Sequence, residues 1–296
     1  MSKFDNKNMR ILVIGDLHGE MPKIHFKKFD AIIAPGDFCL DKDIRKYLMI
    51  SYKEFLANRS NYRNWWDITG KKRAKKLVDK SLKYARKILE KLNSYNVPVY
   101  VIPGNWDLAI KNKEWRYLNR NLYQEHTIKG LKNVIDINNK IRNMGPCTII
   151  GYGLVNGPEL LKYRNYKNIS KKQFREDNKK YNKLLSKYNK LFVKAKRRGV
   201  PVIFLSHNVP FNTRLDKIVN KSSPMNGYHY GSNLARDMII KHQPILSIAG
   251  HMHEHYGTCK LGKTTVLNAG YGGNTSTLIE LKNEKLKNIK FHGKIC

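Results

Sequence analysis

Short apolar runs alternate with longer, Lys-rich stretches along the chain. The runs are rich in Val and Ile and have Gly or Pro near their ends, a pattern typical of β-strands, several of them buried on both faces. This pattern predicts strands at Ile11–Ile14, Ala31–Ala34, Val97–Ile102, Thr148–Ile150, Val200–Leu205, Ile245–Ala249, Thr265–Leu267 and Thr277–Leu281.

Two Lys-rich stretches repeat their apolar residues with helical spacing. Strands that alternate with such helices predict an α/β fold in which helices are layered on sheet. The apolar positions are Ala74, Leu77, Val78, Leu82, Ala85, Ile88, Leu89 and Leu92 in the first stretch, and Phe174, Tyr181, Leu184, Leu185, Tyr188, Leu191 and Phe192 in the second.

The chain of 296 residues contains no linker rich in Pro, Gly or Ser and no internal repeat. We therefore predict one domain, 1–296, with helical basic insertions at about 40–96 and at about 157–198. The first insertion lies between two strand ends that carry candidate ligands, so it can form a cap beside the site. Within it, Trp65 and Trp66 are expected to be core anchors.

Length and composition favour a cytoplasmic protein with no membrane partner. No apolar run approaches the roughly 20 residues that a membrane-spanning helix needs, and Ile11–Ile14 is too short for the core of a signal peptide. Cys39, Cys147, Cys259 and Cys296 show neither a disulfide framework nor a zinc-binding spacing, so we expect reduced thiols. The sequence gives no oligomeric state.

The chain is strongly basic, with 57 Lys and Arg against 23 Asp and Glu and a net charge of +34. Lys71–Lys91 and Lys162–Arg198 carry 21 of the 34 net charges and contain no candidate ligand. Compositional bias toward Lys, Asn, Ile and Tyr would explain these stretches as solvated helix faces. The alternative is a surface for polyanions such as nucleic acid, and the sequence leaves both open.

Five predicted strands run into small residues and then into side chains that can bind a metal. In an open α/β sheet, residues just past the carboxyl ends of the strands converge on one crevice, and glycine there lets the chain turn close to a bound ion. We therefore predict a metal site that consists of Asp16, His18, Asp37, Asn105, His207, His251 and His253.

The motifs around these residues are GDLHG, GD, GNWD, SHN and GHMH, in that order. They resemble the signature of the calcineurin-like metallophosphoesterases, and the segment His229–Ser232 looks like that of the Icc-related phosphoesterases of prokaryotes. The resemblance implies a two-sheet sandwich flanked by helices in four αββα layers. It implies one metal on Asp16, His18, Asp37 and His253, and a second metal on Asp37, Asn105, His207 and His251.

The implied cofactors are two divalent metal ions, manganese first, with iron, zinc, nickel or cobalt as alternatives for this ligand set. Such ions lower the pKa of water from about 15.7 toward neutrality. The resemblance thus implies a hydrolase that cleaves phosphoesters of small molecules, phosphodiesters first among them, with a bridging hydroxide. Its catalytic residues would be Asp37, Asn105 and His207, and its substrate contacts Asn105, His229 and Ser232. For His229 and Ser232, stabilising the loop before a helix is the alternative.

Trp106 departs from the family pattern, in which a His at this position stabilises the transition state or protonates the leaving oxygen. Trp can donate one hydrogen bond but cannot transfer a proton, and Asp107 therefore lacks its usual partner. General-acid catalysis is typically worth a factor of about 10²–10⁴. We expect a slower enzyme that favours phosphodiesters or esters with good leaving groups. His255 is a candidate replacement proton donor or a support for a ligand, and an exposed or structural His is the alternative.

Two other functions stay open. One is a nuclease that grips DNA or RNA through the basic helices. The other is a protein-interaction scaffold on the same fold, as in the phosphoesterase-like subunit of retromer. Scaffolds of that kind tend to lose ligands, whereas all seven ligand positions are intact here.

Overall fold

The computed structural model describes residues 8–58, 60–160, 170–221, 223 and 225–293. Its helices are α1 (Lys42–Ala57), α2 (Trp65–Thr69), α3 (Lys71–Asn93), α4 (Lys171–Lys196) and α5 (Asn233–His242). Its strands are β1 (Met9–Val13), β2 (Ala31–Ala34), β3 (Val99–Val101), β4 (Val134–Asp136), β5 (Ile141–Met144), β6 (Cys147–Tyr152), β7 (Val202–Asn208), β8 (Leu246–Gly250), β9 (Gly257–Leu261), β10 (Thr264–Asn268), β11 (Ser276–Lys282) and β12 (Lys285–His292).

The strands form two six-stranded mixed sheets. The first has the order β12-β11-β1-β2-β3-β4 and the second the order β5-β6-β7-β8-β10-β9. In the first sheet β1, β2, β3 and β4 run parallel, and in the second β6, β7, β8 and β10 do so. The carboxyl ends of the parallel strands within each sheet therefore share one edge.

Alternate residues of the central strands face different layers. In β1, Ile11 packs into the core between the two sheets, whereas Leu12 packs into the core on the outer face of the first sheet. In β7, Ile203 faces the inter-sheet core and Phe204 faces the outer core of the second sheet. Burial on both faces explains why these strands are continuous apolar runs.

Helices cover the outer face of each sheet. In α3 the predicted apolar stripe packs against the first sheet and is buried except at Leu77, which is partly buried. In α4, Tyr188 and Phe192 are buried against the second sheet together with α5. The order of layers is helix, sheet, sheet, helix. The predicted α/β sandwich with four αββα layers is confirmed.

The first predicted insertion is helical, as expected. Trp65 and Trp66 are each 6% exposed and pack with Trp115, which agrees with their expected role as core anchors. Residues 161–169 of the second predicted insertion lie outside the described residues, as does Cys296. The division of the chain into domains stays a prediction. None of the described helices is both long and apolar enough to span a bilayer.

Candidate metal centre

The predicted ligands lie at the carboxyl ends of central strands from both sheets. Asp16 and His18 follow β1, Asp37 follows β2 and Asn105 follows β3. In the second sheet, His207 lies within β7, and His251 and His253 follow β8. The strand placement of His207 corrects the prediction, which ended the strand at Leu205. The pairing of β7 with β8 is irregular between Leu205 and Asn208, and such bulges re-aim side chains near functional sites.

Asp16, His18 and His253 form the first candidate group of metal ligands. One atom of each side chain lies within 4.8 Å of the others. The Nε2 atom of His253 lies 3.1 Å from Oδ2 of Asp16 and 3.2 Å from Nε2 of His18. Two imidazole nitrogens this close repel each other if both present a lone pair, and a shared cation or proton relieves that repulsion.

Asp37, His207 and His251 form the second group, within the same 4.8 Å limit. The Nδ1 atom of His207 lies 2.9 Å from the carbonyl oxygen of Pro35, so Nδ1–H donates to that oxygen and Nε2 faces the site. That Nε2 atom lies 2.8 Å from Oδ1 of Asn105. Asn105 thereby joins the second group.

Asp37 lies between the two groups. Its Oδ2 atom is 3.7 Å from Nε2 of His18 and 3.5 Å from Nε2 of His207. The structure thus brings all seven predicted side chains to one edge of the sandwich, and one carboxylate oxygen is common to both groups. Binding of metal there stays a prediction.

The charges of the site interact strongly. Burial would lower the pKa of His207, but the neighbouring Asp37 carboxylate outweighs burial and raises that pKa to about 9. Burial and the nearby His207 lower the pKa of His251 to about 4, so His251 is neutral at pH 7. Burial would raise the pKa of Asp37, yet His207 and His18 hold it well below its usual range. Because ligation needs neutral imidazoles, binding of a cation at His207 must release a proton.

Three of the predicted ligands adopt left-handed backbone conformations. The φ angles are 45° at His18, 55° at Asp37 and 67° at His251. Such conformations are uncommon for residues other than glycine, cost about 1–3 kcal/mol each and cluster at functional sites. Their concentration at one edge of the sheets supports a functional site there.

Two glycines make room for the carboxylates. A Cβ atom at Gly104 would lie 2.2 Å from Oδ1 of Asp37, and a Cβ atom at Gly250 would lie 2.1 Å from Oδ1 of Asp16. Contacts this short are impossible without displacing the carboxylate. Glycine at these two positions therefore permits the close approach of a ligand side chain.

One atom of the site gives a direct test of its fit to a cation. Oδ1 of Asp16 is buried and has no hydrogen-bond partner among the described residues, while Oδ2 accepts a 2.7 Å hydrogen bond from the backbone N–H of His251. A buried, unpaired carboxylate oxygen is unfavourable unless a cation binds it. The ligand set of imidazole, carboxylate and amide therefore fits divalent cations.

Asp41 supports His18 from behind, and the sequence did not reveal it. Its Oδ2 atom lies 3.4 Å from Nδ1 of His18. The Nε atom of Arg45 donates a 2.9 Å hydrogen bond to the same oxygen. A carboxylate behind a ligand imidazole fixes the orientation of the ring and increases its basicity. The only sequence signal is the spacing of Asp41 and Arg45, four residues apart at the start of α1.

Asp107 binds the loop that carries Asp37. Its Oδ2 atom accepts the backbone N–H groups of Asp37 at 2.8 Å and Gly104 at 2.9 Å, and its Oδ1 atom accepts those of Phe38 at 2.9 Å and Cys39 at 3.1 Å. Although Trp106 replaces the expected His partner, Asp107 is thus fully engaged. Burial and the nearby Asp37 raise the pKa of Asp107 to about 6, which leaves it mainly ionised at pH 7.5.

We expect Asp107→Asn to destabilise the protein by about 3 kcal/mol, because the amide NH₂ would face two backbone N–H groups that now share one oxygen. The free energy of unfolding should be measured by urea denaturation of the metal-free protein at pH 7.5. The matched control is Asp67→Asn, an exposed residue of α2. A loss below about 1 kcal/mol would contradict the structural role of Asp107.

Trp106 and His255 both have defined partners. The backbone N–H of Trp106 donates a 2.8 Å hydrogen bond to Oδ1 of Asp37, and the indole ring packs under the guanidinium of Arg45. The Nε2 atom of His255 lies 2.5 Å from the carbonyl oxygen of Lys217. His255 as a proton donor stays a prediction, and this contact favours a structural role.

Ser232 caps α5. Its Oγ atom accepts a 3.0 Å hydrogen bond from the backbone N–H of Ala235 and donates to Oε1 of Glu159 at 2.5 Å, and the residue is completely buried. His229 is partly exposed, with Nδ1 2.7 Å from Oδ1 of Asp216. Both residues as substrate contacts stay predictions, and the geometry of Ser232 favours the capping alternative.

Three solved structures resemble the described fold. One has a TM-score of 0.59 with 17% identity, and the alignment covers 97% of this chain and 99% of that chain. TT1561 of Thermus thermophilus gives 0.46 with 13% identity, covering 96% and 98%. A Staphylococcus aureus protein provisionally named a 5'-nucleotidase, solved with alpha-ketoglutarate, gives 0.50 with 12% identity, covering 98% and 55%.

The first and third of these likenesses, at identities this low, support the fold alone. No curated protein matches the chain significantly. The family model of the calcineurin-like phosphoesterases matches residues 9–255, a range that includes all seven candidate ligands. The chain belongs to the calcineurin-like phosphoesterase family.

Proposed function

We propose that this protein hydrolyses phosphoesters with a pair of divalent cations that share Asp37. The observation that carries the proposal is the position of Asp37 Oδ2 between Nε2 of His18 and Nε2 of His207. Family membership supports a hydrolase acting on phosphoester bonds. The ions, when bound, would generate hydroxide at neutral pH and neutralise charge on the phosphate. Manganese is the first candidate, and iron, zinc, nickel and cobalt are alternatives.

The residues of the chain then have distinct tasks. Asp37 would hold both cations, and the Pro35 carbonyl, through its contact with Nδ1, would keep the Nε2 atom of His207 available to the second one. Asn105 would offer its Oδ1 atom to the same cation. The Nδ2 atom of Asn105 has no hydrogen-bond partner among the described residues, so it can donate to a phosphate oxygen of the substrate. A small phosphorylated molecule in the cytoplasm is the proposed substrate.

The test combines metal analysis with an activity assay. The purified protein should contain about two transition-metal ions per chain by mass spectrometry, and bis(p-nitrophenyl) phosphate hydrolysis should disappear with a chelator and return with Mn²⁺. A protein that binds no transition metal, or one whose hydrolysis is unaffected by chelation, would contradict the proposal. A protein that neither binds metal nor hydrolyses the diester would instead favour the alternative function of a protein-interaction scaffold.

Trp106 supports phosphodiesters as the preferred substrate class, since the indole cannot protonate a poor leaving group. We expect Trp106→His to raise kcat/KM on alkyl phosphomonoesters by about 10²-fold while changing that on bis(p-nitrophenyl) phosphate much less. The measurement is a series of esters whose leaving groups differ in pKa. Equal sensitivity to leaving-group pKa in both proteins would count against the missing proton donor.

A second candidate substrate is nucleic acid, and one observation on α4 favours it. Five basic residues of this 26-residue helix, which is about 39 Å long, and the capping residue Arg197 at its end lie along one face. All six are exposed, and among the described residues none of them forms an ion pair with a carboxylate. They are Arg175, Lys179, Lys183, Lys190, Lys194 and Arg197. A linear array of unpaired cations suits a phosphate backbone.

The nuclease alternative is tested by salt-dependent binding to a 30-nucleotide single strand. The variant Lys183→Gln/Lys190→Gln/Lys194→Gln should bind at least about 10-fold more weakly and show a salt slope smaller by about 2. The matched control removes three exposed lysines of α3 by Lys76→Gln/Lys83→Gln/Lys87→Gln. If both variants lost the same binding affinity, the overall positive charge of the protein, rather than a binding face on α4, would account for binding. Absence of strand cleavage would exclude the nuclease.

A further inference from the structure

Arg45 lies at the edge of the candidate metal centre, in the first turn of α1. Its guanidinium carbon is 4.8 Å from the centre of the Trp106 ring. Its Nε atom donates a 2.9 Å hydrogen bond to Oδ2 of Asp41, and its Nη2 atom contacts the same oxygen. The guanidinium is therefore held by an aromatic face and by a carboxylate.

Each of these two supports also contacts a predicted metal ligand. Asp41 Oδ2 lies 3.4 Å from Nδ1 of His18, and the backbone N–H of Trp106 donates to Oδ1 of Asp37 at 2.8 Å. Asp41 is only 6% exposed in its side chain, whereas Arg45 is 54% exposed. The guanidinium thus adjoins groups that contact two predicted ligands, and it is itself accessible to solvent.

The guanidinium keeps hydrogen-bond donors for a ligand. Arginine has five N–H donors in a fixed plane, and Asp41 engages Nε and Nη2. The two N–H groups of Nη1 have no partner among the described residues. A guanidinium held in place with free donors is suited to phosphate oxygens, and its charge persists at every physiological pH.

We propose that Arg45 is a substrate-binding residue that takes the phosphate group through Nη1, with Trp106 as the platform that holds it. This inference rests on the proposed function and deepens it. Trp106 occupies the position where relatives carry a His. The guanidinium of Arg45, stacked on the Trp106 ring, therefore places a permanent cation where relatives have a titratable imidazole. Arg45 supplies charge and hydrogen bonds to the phosphate, and it transfers no proton.

Two variants separate this role from a merely structural one. Arg45→Met keeps most of the aliphatic stem and removes the charge. Arg45→Lys keeps a cation that can still pair with Asp41 but removes the planar fork. The matched control is Lys46→Met, an exposed lysine on the same helix that stacks on Tyr47 and not on Trp106.

The main readout is the dissociation constant of inorganic phosphate, measured by calorimetry on Mn²⁺-loaded protein at pH 7.5. We expect Arg45→Met to raise it about 10- to 100-fold, Arg45→Lys to raise it at least about fivefold, and Lys46→Met to leave it within about twofold. KM for bis(p-nitrophenyl) phosphate should rise in parallel, with metal content unchanged.

The outcomes distinguish this inference from the proposed function. Wild-type phosphate affinity in Arg45→Met, in a protein that binds metal and hydrolyses the diester, would overturn the role of Arg45 and leave the proposed function intact. Loss of metal from Arg45→Met would also overturn it, because Arg45 would then act on His18 through Asp41. A wild-type protein that neither binds metal nor hydrolyses phosphoesters would overturn both.

Discussion

Replacing Asp37 with Asn is expected to remove at least one of two bound cations and to lower kcat/KM by about 10³-fold or more. One of the two carboxylate oxygens of Asp37, Oδ2, faces both His18 and His207. An amide has nearly the same shape and can keep the hydrogen bond that Oδ1 accepts from Trp106. The loss would therefore come from the missing charge rather than from unfolding.

The experiment measures metal content by mass spectrometry and hydrolysis of bis(p-nitrophenyl) phosphate, with urea denaturation as the check on folding. Asp67→Asn makes the same chemical change on the exposed face of α2 and should match the wild type in all three. If Asp37→Asn retained two cations and wild-type activity, a shared carboxylate would not hold the site together.

The strands that the sequence predicts are the central ones. The pattern predicted β1, β2, β3, β6, β7, β8, β10 and β11, and most of these are buried on both faces. It missed β4, β5, β9 and β12, which are the four edge strands of the two sheets. An edge strand has one sheet neighbour and is partly exposed, as in Lys285–His292, where polar and apolar residues mix. Apolar runs cannot reveal such strands because their pairing depends on the neighbouring strand.

The same division holds at the candidate site. Residues that project from strand ends, such as Asp37 and His251, could be placed together from sequence because sheet topology brings those ends to one edge. Asp41, Arg45 and Glu159 could not, because each acts through a tertiary contact from a helix or loop. Likewise, the GNWD motif does not reveal that the Asp107 carboxylate accepts hydrogen bonds from four backbone N–H groups, because three of these belong to the loop after β2.

A second large effect is expected when alanine replaces the glycine beside Asp16, Gly250, or the glycine beside Asp37, Gly104. In Gly250→Ala the new Cβ would lie 2.1 Å from Oδ1 of Asp16, so this carboxylate must leave its present position beside His18 and His253. Asp16 belongs to the first group of ligands only. We expect loss of the cation of that group, retention of the other, and a fall in kcat/KM of at least about 10²-fold.

In Gly104→Ala the new Cβ would lie 2.2 Å from Oδ1 of Asp37 and 2.5 Å from its backbone nitrogen. Because Asp37 serves both groups, this variant should lose both cations, whereas Gly250→Ala should lose one. Titration with Mn²⁺, followed by calorimetry, distinguishes the two results. Gly130→Ala is the control, since its Cβ would meet no atom within 4 Å and its positive φ costs only about 1 kcal/mol of stability. Identical titrations for Gly104→Ala and Gly250→Ala would mean that Asp37 is not shared between two metals.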